Sequence, residues 1–157
     1  MARAALQLQA AARDEDFDLR VPVVTALVEL YTSEGCSSCP PADRWLAASF
    51  RPGSGATKAI ALAFHVDYWD RLGWKDRFAA QRFTERQYEA MRANRGRFVY
   101  TPQVLIQGRD FPDWQHTERA EAAIESAHAQ PPRAAIMLTA QARPDALAVQ
   151  ARAEVAN

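Results

Sequence analysis

The feature that most constrains this chain is an apolar, β-branched run that leads directly into two closely spaced cysteines. Residues 23–41 read VVTALVELYTSEGCSSCPP. A run of this kind predicts a strand buried on both faces, and the glutamate-glycine pair that follows predicts a turn into Cys36-Ser37-Ser38-Cys39. The two thiols are therefore predicted to lie where a buried strand ends.

The sequence after the cysteines changes to a helical pattern. From Asp43 onward, Trp45, Leu46 and Phe50 can share one helix face. A cysteine at a helix start meets free N–H groups and a partial positive charge, which favour the thiolate. We therefore predict that Cys36 is the nucleophile of a redox pair and that Cys39 is the thiol that resolves its mixed disulfides.

Two other roles for the cysteines remain open. A purely structural disulfide that closes so small a ring would stabilise the fold by only about 2 kcal/mol. A zinc site would need two further ligands, and the histidines available, His65, His116 and His128, lack the usual spacing. We expect no metal and no cofactor.

Length and composition limit the functional classes. The chain has 157 residues, of which 48% are hydrophobic, enough for one domain with a real core. The formal net charge is zero, which gives no argument for a nucleic-acid partner, and no apolar run approaches the roughly 20 residues of a membrane-spanning helix. Two cysteines in a single motif are too few for a disulfide framework, and the simplest interpretation is a redox pair.

Residues 1–20 are predicted to form a flexible N-terminal arm. Gln7 and Gln9 interrupt any apolar stretch, and acidic residues follow at 14–16, so the segment is a poor secretory signal. This favours the cytoplasm, with a shortened targeting segment as the alternative.

A second buried strand is predicted at residues 58–66, parallel to the first. Because ligands of open α/β sheets bind at the carboxyl ends of parallel strands, we expect His65, Asp67, Tyr68 and Trp69 to lie near Cys36.

Two helices are predicted further along the chain. A helix over residues 75–91 lies in a stretch where basic residues outnumber acidic ones. We interpret this helix as carrying a solvated face, with an acidic partner surface as the alternative. The last helix runs from Thr117 to about His128, and Pro131-Pro132 stops it.

Four stretches of the sequence resemble one family. Residues 29–43 (ELYTSEGCSSCPPAD), 65–70 (HVDYWD), 72–76 (LGWKD) and 100–103 (YTPQ) are similar to the domain-of-unknown-function 1223 family of thioredoxin-like proteins. The likeness begins near Val23 and extends to the C-terminus.

The resemblance implies an α/β thioredoxin-like fold with a central mixed four-stranded sheet flanked by helices. It also implies a cis peptide bond before Pro102, facing the cysteine pair, and a periplasmic or secreted location. Residues 134–155 are predicted to begin a C-terminal β-hairpin with its turn at Pro144-Asp145. The predicted organisation is an arm (1–20), a thioredoxin-like domain (21–131) and a hairpin extension (132–157), with an incomplete β subdomain as the alternative interpretation of the extension.

The sequence thus predicts a thiol-disulfide oxidoreductase that acts on protein or small-thiol disulfides. The expected partner is a disulfide- or thiol-containing protein or peptide, with no nucleic acid and no membrane. The alternatives are a peptide-binding module of the same fold without turnover and, less favoured, a metal-binding C-x-x-C protein. The predicted site comprises catalytic Cys36 and Cys39, substrate-binding Tyr68, Trp69, Thr101 and Pro102, and accessory Ser37, Ser38, His65 and Asp67.

Overall fold

The computed structural model of the protein describes residues 17–20, 25–50, 59–132 and 134–155. Seven strands and three α-helices lie in these ranges. The strands are β1 (Phe17–Arg20), β2 (Ala26–Thr32), β3 (Ala59–His65), β4 (Gln103–Ile106), β5 (Arg109–Asp110), β6 (Ala134–Arg143) and β7 (Ala146–Val155). The helices are α1 (Pro40–Ser49), α2 (Gln81–Ala93) and α3 (Thr117–His128).

The chain divides into two compact units. One comprises residues 25–127, and the other comprises residues 1–24 and 128–157. The first contains a four-stranded sheet in the order β3-β2-β4-β5. Strand β2 runs parallel to β3 and antiparallel to β4, so the sheet is mixed, as predicted.

Strand β2 is central because apolar side chains cover both of its faces. Val28 and Leu30 are fully buried in a cluster with residues of α1 and α3, whereas Tyr31 packs with Leu105 in a second cluster on the opposite face. Burial of each such aliphatic side chain contributes about 1.5–3 kcal/mol, so this strand supplies a large share of the core energy. The predicted first strand is confirmed over its described residues.

One charged pair lies on the α2 face of the sheet. Glu29 is 2% exposed, and its Oε1 accepts hydrogen bonds from Arg86 Nε at 2.7 Å and Nη2 at 2.6 Å. The hydrogen bond to Glu29 raises the pKa of Arg86. A buried carboxylate is stable only when it is paired, so this contact fixes α2 against β2.

Helix α2 begins later than the sequence predicts. The predicted start was residue 75, but residues 75–80 form a loop and the helix begins at Gln81. The reason is Asp76, whose carboxylate accepts the N–H of Phe78 at 2.8 Å and so closes a local turn, while Ala80 is extended. Such short-range bonds from aspartate compete with helix formation.

The other unit contains a three-stranded antiparallel sheet in the order β1-β6-β7. Strands β6 and β7 pair from Ala134↔Val155 to Arg143↔Ala146, which confirms the predicted hairpin with its turn at Pro144-Asp145. Strand β1, within the predicted N-terminal arm, pairs with β6 and was not predicted. The first sixteen residues of that arm lie outside the described residues.

Among the described residues, no helix is both long and apolar enough to cross a membrane.

Candidate functional site

Cys36 and Cys39 form a disulfide in the turn that follows β2. Their Cα atoms are 5.4 Å apart. Two consecutive backbone turns shape the segment, because Cys36 N–H donates to the Ser33 carbonyl at 3.1 Å and Cys39 N–H donates to the Cys36 carbonyl at 3.2 Å. The pair lies at the predicted junction between strand and helix.

Helix α1 begins immediately after the second cysteine. The sequence pattern predicts a helix only from Asp43, because a proline disfavours the α region for the residue before it. In the structure, Cys39 has φ −77° and ψ −33° and caps a helix that begins at Pro40. Its carbonyl accepts the N–H groups of Ala42 at 2.9 Å and Asp43 at 3.1 Å. Prolines suit the first helical turn because their missing N–H would have no partner there.

Thr101 lies against the disulfide from the opposite side of the site. Its hydroxyl donates to Cys36 Sγ at 3.3 Å. Ser38 Oγ lies 3.5 Å from the same sulfur and donates to the Thr101 carbonyl at 3.4 Å. The Thr101–Pro102 peptide bond is cis. The structure therefore brings together Cys36, Ser38, Thr101 and Pro102 from segments about sixty residues apart in the chain.

Trp69 completes a chain of hydrogen bonds that ends at the sulfur. Its indole Nε1–H donates to Thr101 Oγ1 at 2.9 Å, and the Thr101 hydroxyl in turn donates to Cys36. Because the indole is a donor only, it occupies a lone pair of the threonine oxygen and leaves the O–H free to point at the sulfur. Trp69 is half-buried, so it acts as a support of the site as well as part of its wall.

A buried glutamine holds the Thr101–Pro102 turn from behind. Gln87 is fully buried, and its Nε2 donates to the Tyr100 carbonyl at 2.8 Å and to Gln103 Oε1 at 2.9 Å. Its Oε1 accepts from the Tyr68 hydroxyl at 3.2 Å. Burial raises the pKa of Tyr68, so this hydroxyl stays a donor.

The sequence did not single out Gln87. The helical periodicity of the surrounding residues places Gln87 on one face of a helix, but it does not show whether a glutamine there is buried or exposed. A fully buried amide is stable only when its polar atoms are hydrogen-bonded, and here those bonds fix the turn beside the cysteines.

The predicted accessory residue His65 belongs to a neighbouring cluster. Its Nδ1 lies 2.6 Å from Asp76 Oδ2, whose side chain is fully buried. The same carboxylate oxygen accepts the N–H of Glu34 at 2.8 Å. Asp76 thus connects the end of β3 to the turn before Cys36, and no sequence signal marked it for this role.

The remaining accessory residues have different surroundings. Asp67 Oδ1 accepts from the Thr84 hydroxyl at 2.5 Å, and its own N–H donates to Thr84 Oγ1 at 3.1 Å, so it attaches the loop to α2. Ser37 is exposed. Within the described ranges, the side chains hydrogen-bonded to either sulfur are Thr101 and Ser38, whereas His65, Asp67 and Ser37 are not among them. Within the same ranges, no group of three or more His, Cys, Asp or Glu side chains could hold a metal ion.

Comparisons with known proteins give one family and one solved structure. The model of the family described as "Protein of unknown function (DUF1223)" matches residues 27–157. A crystal structure of a protein from Agrobacterium tumefaciens is 33% identical, with a TM-score of 0.60. The match covers 76% of this chain and 57% of the Agrobacterium chain, so it spans little more than half of that protein. No curated protein matches the sequence.

The Asp76 cluster predicts a defined pH dependence of stability. Burial raises the pKa of this carboxyl, but the hydrogen bonds from Glu34 N–H, His65 and Phe78 N–H outweigh it and hold the pKa below 3.8. Since the folded state then binds the proton less tightly than the unfolded state, the stabilisation is complete above the unfolded pKa and is lost as pH falls through the folded pKa. Asp76→Asn should therefore lower the free energy of unfolding at pH 7 by about 1–3 kcal/mol. The difference from the parent protein should shrink below about pH 4.

Urea unfolding at several pH values measures this difference. Asp113→Asn is the matched control, because it makes the same change of charge in an exposed pair with Arg119. A loss of stability in Asp76→Asn that stays constant from pH 7 to pH 3 would contradict the role given to the carboxylate.

Proposed function

The chain belongs to the DUF1223 family, whose function is unknown, and from its cysteine site we propose that the protein is a thiol-disulfide oxidoreductase. The observation that carries the proposal is the hydrogen bond from the Thr101 hydroxyl to Cys36 Sγ, at 3.3 Å. A structural disulfide has no need of a hydroxyl donor aimed at one sulfur. A thiolate nucleophile does, since a hydrogen bond to the charged form stabilises that form.

The proposed roles of the two cysteines follow from their surroundings. Cys36 receives the Thr101 hydroxyl and is 2% exposed, whereas Cys39 is fully buried at the helix start with Pro40 behind it. The thiolate is therefore stabilised at Cys36. The two cysteines differ little in exposure in this oxidised form. The assignment of Cys36 as the nucleophile therefore depends on the positions of the hydrogen-bond donors.

The proposed reaction consists of two exchanges. In the reduced protein the Cys36 thiolate attacks one sulfur of a partner disulfide, the partner S–S bond breaks, and the other partner sulfur leaves as a thiolate. The Cys39 thiolate then attacks Cys36 Sγ, which releases the second partner sulfur and forms the Cys36–Cys39 disulfide. The partner gains two electrons and the protein loses two. An external thiol reductant restores the dithiol, and the same steps in reverse oxidise a partner dithiol.

The turn at Thr101–Pro102 is the proposed place where an extended partner chain binds. Its backbone lies beside Cys36, held by Ser38 in front and by Gln87 behind. Tyr68 and Trp69 supply an aromatic wall, with ring centroids 6.3 Å apart. The β3-β2-β4-β5 sheet, the cysteine pair after β2 and the Thr101–Pro102 turn beside it support a thioredoxin-like protein. The partner is a protein or peptide disulfide or thiol.

The hydrogen-bond chain makes a prediction about the reactivity of Cys36. Thr101→Val removes the hydroxyl but keeps the shape, so the pH at which the reduced protein reaches half its maximal alkylation rate at Cys36 should rise by about one unit. Thr101→Ser should restore the parent value, and Trp69→Phe should give an intermediate value because the hydroxyl loses its orientation.

Mass spectrometry of iodoacetamide-treated protein measures the site and rate of labelling. Ser37→Ala is the control, since it removes an exposed hydroxyl within the same motif. Equal pH profiles for Thr101→Val and Thr101→Ser would show that the hydroxyl does not act on the sulfur.

The division of roles predicts which variant retains a partner covalently. In Cys39→Ser the resolving thiol is absent, so a disulfide-bearing protein such as insulin should remain attached to Cys36 as a long-lived mixed disulfide. Cys36→Ser should form little adduct, because within the described residues the hydroxyls of Thr101 and Ser38 lie at Cys36 Sγ and not at Cys39 Sγ, so the remaining thiol lacks their stabilisation of a thiolate. Non-reducing gel electrophoresis with and without dithiothreitol measures the adduct.

The same pair of variants separates an enzyme from a peptide-binding module. A binding module would retain partners equally in both variants and without a reducible link, through the Thr101–Pro102 turn and the edge beside it. Equal recovery that is insensitive to dithiothreitol would overturn the oxidoreductase proposal.

A further inference from the structure

Three large apolar side chains are exposed in the loop between β3 and α2. Leu72 is 66% exposed, Trp74 is 61% exposed and Phe78 is 52% exposed. Single exposed apolar residues are ordinary, but several on one short loop indicate an interaction site. Together with the exposed cations between them, these residues form what we call the 71–78 surface: Arg71, Leu72, Trp74, Lys75, Arg77 and Phe78.

The 71–78 surface contacts the turn that precedes the redox pair. Trp74 Nε1 donates to Glu34 Oε2 at 2.9 Å, and Glu34 is two positions before Cys36. The Phe78 ring lies 5.3 Å from that of His65, which is bound to Asp76, and Asp76 accepts the N–H of Glu34. A partner segment that extends from Cys36 past Glu34 therefore meets this surface.

The loop that carries the surface is held in place by hydrogen bonds within it. Leu72 N–H donates to the Trp69 carbonyl at 2.9 Å, and Asp76 N–H donates to Asp70 Oδ1 at 3.1 Å. Gly73 has φ +102°, a conformation that side-chain-bearing residues rarely adopt, and it sets the turn from which Trp74 projects. Apolar groups held outward before binding lose less conformational entropy when a partner covers them.

The exposed charged side chains of the 71–78 surface are positive. They are Arg71, Lys75 and Arg77, whereas Asp76 is buried. The other acidic residues of the loop, Asp67 and Asp70, are half-buried and accept hydrogen bonds from the Thr84 hydroxyl and the Asp76 N–H. Glu34 accepts from Trp74 and lies 4.0 Å from Arg77 Nε, so it is partly neutralised. Arg77 also stacks over the Phe78 ring at 4.6 Å, which places a cation over an apolar group.

We propose that the 71–78 surface selects partner segments in which the reacting cysteine is flanked by apolar and acidic residues. The proposal rests on the proposed function, because it assigns the substrate class of the same Cys36 site. Apolar partner side chains cover Leu72, Trp74 and Phe78, while partner carboxylates pair with the exposed cations. Charges at the rim of a contact act mainly on the rate of association, so salt should reduce the selectivity.

The test uses two synthetic peptides of equal length, each with one cysteine activated as a mixed disulfide with thionitrobenzoate. One peptide places leucine, tryptophan and glutamate beside the cysteine, and the other places serine and glycine there. The reduced protein should release thionitrobenzoate from the first peptide about tenfold faster than from the second. Trp74→Ala and Lys75→Glu should each remove much of that difference, whereas Arg92→Glu, the same change of charge on the exposed part of α2, should not.

A small probe separates this proposal from the proposed function. The mixed disulfide of 2-thiopyridone with mercaptoethanol carries no carboxylate and reports on Cys36, and its rate should be the same in the parent protein, Trp74→Ala and Lys75→Glu. Reaction with the small probe but equal rates for the two peptides would overturn the docking proposal and leave the oxidoreductase intact. Failure to react with the small probe would overturn both. Equal peptide rates together with Trp74-dependent binding to anionic phospholipid vesicles would instead assign the surface to a lipid partner.

Discussion

The burial of β2 on both faces is the constraint on which the rest of the unit formed by residues 25–127 depends. The strand is paired on both edges and packed on both faces, so its last residues cannot move without disturbing the core. The cysteine motif follows it directly. Reactive groups on a turn gain precision when the turn is attached to so rigid an element. The position of Cys36 is thus a consequence of where the most buried strand ends.

Polar contacts between distant segments complete the site. Thr101 reaches Cys36 only because Gln87 holds the Tyr100 carbonyl and Trp69 holds the Thr101 hydroxyl. The Asp76 carboxylate holds the turn before the cysteines, because it accepts the N–H of Glu34. These groups are buried or half-buried, so each hydrogen bond is worth more than one at the surface, and its loss would leave an unpaired polar atom. The site is therefore held by the same bonds that close the loops around it.

The sequence predicted the elements whose patterns are local and missed those that depend on distant partners. Helix α3 and the hairpin turn at Pro144-Asp145 follow from apolar periodicity and turn residues, and the structure confirms them. Strand β3 is confirmed as a strand parallel to β2. The prediction that it is buried is wrong, because β3 lies at the edge of the sheet, where Ile60 is 54% and Leu62 41% exposed. The start of α2 was predicted too early, because helical spacing does not reveal that the Asp76 carboxylate accepts the N–H of Phe78 and closes a turn before Gln81. Gln87 was missed because its partners Tyr68, Tyr100 and Gln103 are distant from it in the sequence. The contact between Thr101 and Cys36 joins residues 65 positions apart, so only the resemblance to a known family placed them together.

The reduction potential of the Cys36–Cys39 couple tests the central claim most directly. It is measured by equilibrating the protein in glutathione buffers of graded composition, trapping free thiols by alkylation and counting the labels by mass. An exchange enzyme should give a potential between about −270 and −120 mV, the range of known disulfide-exchange proteins. A potential below about −300 mV, where structural disulfides lie, would contradict the account and make the pair a fixed part of the fold.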